Sequence, residues 1–144
     1  MQSSKKSELI VDNSIVMTWV FEDEFDAYAN KVLDGLNDNI ALVPPIWRLE
    51  VVNVLISAER RGRITQSASN RFLTLLNDLQ FQVIEENMTQ SMDTHLSIAR
   101  DYHLSSYDAA YLNLAITRSL PIATLDKNLI KAAKQADVPL WQPL

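Results

Sequence analysis

An α/β fold, with a parallel sheet covered by helices on both faces, is what this chain is expected to form. Four short apolar runs lack the alternation of a half-exposed strand and suit strands buried on both sides: Leu9-Ile10-Val11, Ile40-Ala41-Leu42-Val43, Phe81-Gln82-Val83-Ile84 and Pro121-Ile122-Ala123-Thr124-Leu125. Longer segments with apolar residues at helical spacing separate them, so strand and helix alternate along the chain. With 144 residues, 47% of them hydrophobic, the chain suits one compact domain over 1–144. A domain of that size buries roughly 68–70% of its unfolded surface and needs no disulfide to hold its core.

The elements follow in order. Residues 1–7 read as a frayed polar leader. After the first strand, Asp12 and Ser14 are good N-caps for a short helix from Ser14 to Val20. Phe25, Ala29, Val32, Leu33 and Leu36 share one face of a second helix, ended by Gly35 and Asn37-Asp38-Asn39. Pro44-Pro45 stops the second strand, and a long helix runs from Ile46 to about Arg61, closed by Gly62. Thr65 caps the next helix, with Phe72, Leu75, Leu76 and Leu79 inward. Thr89 starts another through Tyr102, and Ser105 and Ser106 cap one from Tyr107 to Arg118. Asp126 opens the last helix, to about Ala136, and Val138 to Trp141 suit a short edge strand.

Composition narrows the chemistry. The chain has no cysteine, which removes a disulfide framework, a thiolate metal site and a cysteine nucleophile together, and fits a reducing compartment. No apolar run nears the roughly 20 residues that span a bilayer, so no membrane role and a cytoplasmic location are expected. Net charge is −5, which disfavours a polyanionic partner, yet Arg60, Arg61 and Arg63 cluster and Lys127, Lys131 and Lys134 fall at helical spacing. Local basic patches or bound cations can offset a net negative charge, so composition alone leaves a nucleic-acid partner open.

Four acids stand out. Ligands of open parallel sheets bind beyond the carboxyl ends of the strands, and Asp12 and Asp126 each directly follow a strand. Glu50 lies on a helix apolar nearly all round, on a narrow polar stripe with Asn53 and Ser57, where a charge is costly unless paired or metal-bound. Asp108 lies in the first turn of its helix. Returning helices are taken here to present their C-termini at the site edge, so topology does not place Asp108 there. Ordinary explanations exist for each: N-caps for Asp12 and Asp126, dipole complement for Asp108, solvent exposure for Glu50. Were the four to converge, each pair 4 Å apart would repel by about 4 kcal/mol at an effective dielectric of 20. Mg²⁺ or Mn²⁺, hard cations that favour carboxylate oxygen, would relieve that repulsion, and the absence of His or Cys ligands argues against zinc.

These residues also carry a resemblance. LIVDNSIVMTWVFEDE, PPIWRLEVVNVL, LSSYDAAYLNLA and LPIATLDKNLIKAA resemble, in order and spacing, the acid-bearing segments of the PIN-domain ribonucleases, most closely the VapC-type toxins of toxin–antitoxin modules. Asn13 departs from the pattern, since the family usually has a smaller residue there. The resemblance implies a three-layer α/β/α sandwich with a central, mainly parallel sheet, and it brings Asp108 to the acidic site. It further implies endoribonuclease activity dependent on Mg²⁺ or Mn²⁺, with Asp12, Glu50, Asp108 and Asp126 as catalytic metal ligands. Ser14, Asn53 and Thr124 would support them by hydrogen bonding. A cognate antitoxin seated near the Trp19–Phe21 segment and a homodimer are implied as partners.

Rival readings differ in their motifs. A receiver-type domain would place adjacent acids after the first strand, where Asn13 and Ser14 stand, and an Asp-x-Asp phosphatase motif is missing. A non-catalytic module gripping a basic peptide in the acidic pocket is disfavoured by the full set of four acids. His95 and His103 have no partner at metal or triad spacing and read as surface or helix-end residues.

Overall fold

Four parallel strands in the order β3-β2-β1-β4 form the frame of the computed structural model, which describes residues 6–86 and 88–143. The strands are β1 (Ser7–Val11), β2 (Asn39–Val43), β3 (Phe81–Val83) and β4 (Ile122–Ala123). Each apolar run predicted as a strand contributes one, and Leu9, Ile10, Val11, Ala41, Leu42, Val43, Ile122 and Ala123 are all buried, as expected of strands covered on both faces. Ser7 already pairs with Asn39, so β1 starts inside the expected leader; residues 1–5 of that leader lie outside the described residues. The expected C-terminal strand shrinks to one parallel bridge, Ile122 to Leu140.

Among the described residues the helices are α1 (Asn13–Val20), α2 (Ala27–Gly35), α3 (Ile46–Arg60), α4 (Gln66–Asp78), α5 (Met88–Tyr102), α6 (Ser106–Arg118) and α7 (Lys127–Gln135). With the sheet they form the α/β/α arrangement. A single 3-10 turn, Glu22–Glu24, joins α1 to α2. Asp26 caps α2 by accepting from the Ala29 N–H at 2.9 Å. Phe25, expected inside, is 74% exposed because it precedes that cap and lies off the helical face. Leu75 is likewise exposed at 43%, leaving Phe72 and Leu76 as the buried apolar residues of α4. No described helix is long and apolar enough to cross a membrane.

Two glycines, the whole supply in this sequence, have distinct reasons. Gly62 ends α3 at φ 70°, in the left-handed region that favours glycine. Gly35 has no such strain, but a Cβ there would approach the Trp141 ring at 2.8 Å. Trp141 is itself held by the Tyr28 hydroxyl, which donates to its carbonyl at 2.8 Å. The C-terminal segment is thus seated on α2.

One expectation about direction is reversed. A helix that delivers the chain to the start of a parallel strand runs antiparallel to it, so α6 ends near the amino edge and begins at the carboxyl edge. Its first turn, with Asp108, therefore lies on the same edge as Asp12 and Asp126. Topology does bring Asp108 to that edge.

Candidate functional site

The carboxyl ends of β1 and β4 stand side by side, since Val11 pairs with Ala123. The residues after them meet in a small hydrogen-bond network. Ser14 Oγ and Thr124 Oγ1 both donate to Asp12 Oδ2 at 2.7 Å. Each hydroxyl in turn accepts a backbone N–H, Ser14 from Leu125 at 2.9 Å and Thr124 from Asp126 at 3.0 Å. Asp12 occupies the N-cap position of α1 without a side-chain cap bond of full hydrogen-bond geometry, so its firm partners are the two hydroxyls. Burial pushes its carboxyl above the usual range, partly offset by Ser14, Thr124 and the backbone amides of Asn13 and Ser14.

Asp126 does cap its helix, accepting from the Leu129 N–H at 2.9 Å. Capping does not remove it from the site, because its charge acts on Asp108. Asp108 is pushed up to about 6, by desolvation first and then by the charges of Asp12, Asp126 and Glu50. Ser105, not Asp108, caps α6, accepting the Asp108 N–H at 3.1 Å, and its hydroxyl lowers the Asp108 carboxyl in part against those raising causes. Glu50 is raised too, by burial and by Asp12, while a bond from Tyr111 lowers it.

Helix α3 is not buried nearly all round, for Leu49 is 68% exposed and Val52 52%. Half-buried Glu50 is nevertheless held, since the Tyr111 hydroxyl donates to its Oε1 at 2.7 Å. Sequence reasoning missed Tyr111, a fully buried tyrosine whose spacing from Asp108 (i, i+3) puts both on one helix face. Asn53 lies exposed on the next turn from Glu50. His95 Nε2 lies 3.3 Å from Glu86, a proximity the sequence did not reveal, but without the geometry of a hydrogen bond. Arg63 of the basic cluster is occupied structurally, bonded to Asp23 at 2.8 Å and stacked 3.9 Å from the Phe21 ring centroid.

Four acids therefore share one electrostatic field, and among the described residues no Lys, Arg or His pairs with any of them. Nor, among the described residues, do three such side chains close tightly enough to form a ready-made metal site. Hard oxygen donors with no neutralising cation fit a divalent ion such as Mg²⁺ and offer nothing to a soft one.

The PIN domain family model matches residues 9–135, a span that includes all four acids. The chain belongs to the PIN-domain family. PIN domains are generally nucleases that use divalent metal ions. Among solved structures, PAE2754 from Pyrobaculum aerophilum is 25% identical, with a TM-score of 0.67 over 88% of this chain and 79% of that one. A toxin-antitoxin complex from Klebsiella pneumoniae shares the fold at 17% identity and a TM-score of 0.58, covering 82% of this chain and 86% of that one. VapBC2 from Rickettsia felis, bound to a DNA fragment from its promoter, shares it at 12% identity and a TM-score of 0.67, covering 93% and 97%. No curated protein is significantly similar. Membership in the family bears out the resemblance read from the four acidic segments.

Proposed function

We propose that this PIN domain is a Mg²⁺- or Mn²⁺-dependent endoribonuclease and the toxin of a toxin–antitoxin pair. The observation that carries the reading is the gathering of four acids at one sheet edge, Asp12 held by Ser14 and Thr124 and Glu50 by Tyr111, with no cation paired to any of them among the described residues. Asp12, Glu50, Asp108 and Asp126 would hold the ion. Bound there, it supplies a Lewis acid that lowers the pKa of water and stabilises charge on the phosphoryl oxygens. The chain's own residues position that chemistry. Ser14 and Thr124 fix the Asp12 carboxylate by donating to one oxygen, and Tyr111 fixes Glu50. Hydrolysis breaks the P–O3′ bond, with the water oxygen retained on a 5′-phosphate and the proton passing to a 3′-hydroxyl.

Two surfaces support partners. A groove of about 200 Å³ beside Trp19, Phe21, exposed Phe25 and Leu75 suits a segment of a cognate antitoxin, a type of partner also suggested by the complexes that share this fold. Exposed apolar stripes, Val52 and Ile56 on α3 and Met92 and Leu96 on α5, suit a homodimer.

Cleavage of end-labelled total RNA, with Mg²⁺, Mn²⁺ or EDTA, tests the reading. Discrete metal-dependent cuts ending in 5′-phosphate, and lost in Asp108→Asn, are expected. Metal-independent cuts, or equal cutting by both proteins, would overturn it. Metal binding without any cleavage would favour a module that only grips a basic peptide.

A further inference from the structure

Beside the acids lies a cavity of about 350 Å³ that the proposed hydrolysis does not use. Glu50 forms one wall, so it opens next to the site. Ile46, Leu49 and Tyr107 make much of the rest, and Asn13 and Asn53 supply its amides. Among the described residues no lysine or arginine lines it, so its walls offer no cationic side chain to an anion.

Asn13 is the unusual member. It is 9% exposed, yet its Oδ1 is buried without a hydrogen-bond partner. A buried acceptor left unmet is unfavourable, and turning the amide so that Oδ1 meets a donor in the cavity would relieve it. The amide torsion is broad and roughly two-fold, so modest rotation can turn its acceptor and donor toward an occupant. Tyr107, 55% exposed, offers an aromatic face, and every base has a face to stack on one. Apolar walls, one ring and an amide with an unmet acceptor together describe a site for a flat, neutral heterocycle that carries a donor.

We infer that this cavity binds the base of a nucleotide flanking the scissile phosphate, with Tyr107 stacking on it and Asn13 selecting a base that presents an amino donor beside a ring-nitrogen acceptor. Adenine and cytosine have that pairing on one edge and uracil does not. Asparagine matched to such an edge forms two parallel hydrogen bonds. The inference rests on the proposed RNA substrate and adds base selectivity to it.

Binding in the Asp108→Asn background tests it without cleavage. Fluorescein-labelled single-stranded oligouridine hexamers, each with one A, C or G, are titrated with the protein in Mg²⁺ and followed by polarisation. A hexamer carrying A or C is expected to bind roughly tenfold or more tighter than U6. Adding Asn13→Ser should shrink that preference to within about twofold, with no fall in melting temperature, because the buried orphan acceptor is removed. Adding Tyr107→Leu should weaken every hexamer together, by about fivefold or more. Preference retained in Asn13→Ser, no preference in the parent, or no hexamer bound would each overturn the inference. So would displacement of a hexamer by N-acetyl-arginine amide but by no nucleoside, which would assign the cavity to a basic peptide. Cleavage by the unmodified protein with no base preference would sink the subsite alone. A clear binding preference with no cleavage would sink the nuclease reading alone.

Discussion

Replacing Asp108 with asparagine should abolish cleavage and at the same time stabilise the metal-free protein. The Asp108 carboxyl is displaced from 3.8 to about 6 by burial and by Asp12, Asp126 and Glu50. Each pH unit corresponds to about 1.36 kcal/mol, so a fully buried group would cost about 3 kcal/mol at neutral pH. Asp108 is only half-buried, and solvent screening reduces the figure to roughly 1–1.5 kcal/mol. The sign follows from the raised value. Below pH 3.8 both folded and unfolded chains hold the proton and Asp108 costs nothing. Between 3.8 and about 6 the unfolded chain releases it first, so stability falls as pH rises, and above about 6 the whole cost is present. Asparagine, of similar size and uncharged, removes that cost and leaves the Ser105 cap intact, because the cap uses the Asp108 backbone N–H.

Thermal melting in EDTA at about pH 7.5 should place Asp108→Asn roughly 2–6 °C above the parent, with the gap closing below about pH 4. Mg²⁺ should raise the melting point of the parent and act weakly on the variant. A variant that melts below the parent in EDTA, or a gap that persists at low pH, would refute the electrostatic account of this site.

Further outcomes follow from the same geometry. Mg²⁺ affinity measured by calorimetry should fall by roughly tenfold per pH unit below about 6, since Asp108 must ionise to take the metal; a flat profile there would contradict its role. Tyr111→Phe removes the donor to Glu50 and should cost about 1–3 kcal/mol of folding stability by denaturant titration, raising the Glu50 pKa further. Thr124→Val deprives Asp12 of a donor and the Asp126 N–H of an acceptor, so metal affinity should drop while the circular dichroism spectrum is kept. Gly62→Ala meets no neighbour within 4 Å but holds φ 70°, so it should cost about 1 kcal/mol through backbone strain alone.

How much was readable before folding depends on whether the information is local. Strand positions were, because a run such as Leu9-Ile10-Val11 is apolar without alternation and must be buried on both faces. Asp12, Glu50, Asp108 and Asp126 were singled out by the company each keeps in sequence: a strand end, an apolar helix or a capped first turn. The outward faces were harder. Leu49, Val52, Phe25 and Leu75 have the hydropathy of core residues, and only packing shows that, among the described residues, they stay exposed. Tyr111 and Glu50 are 61 residues apart, so no periodicity could pair them. Asn13 is a departure from pattern in the sequence and an unsatisfied buried acceptor in the structure. Residue type and order thus settled the strands and the parallel sheet and singled out the four acids as candidates. Long-range packing settled which carboxylate each hydroxyl holds, which apolar faces stay open, and how strongly the acids act on one another, because burial and distance set those energies and neither is written in neighbouring residues.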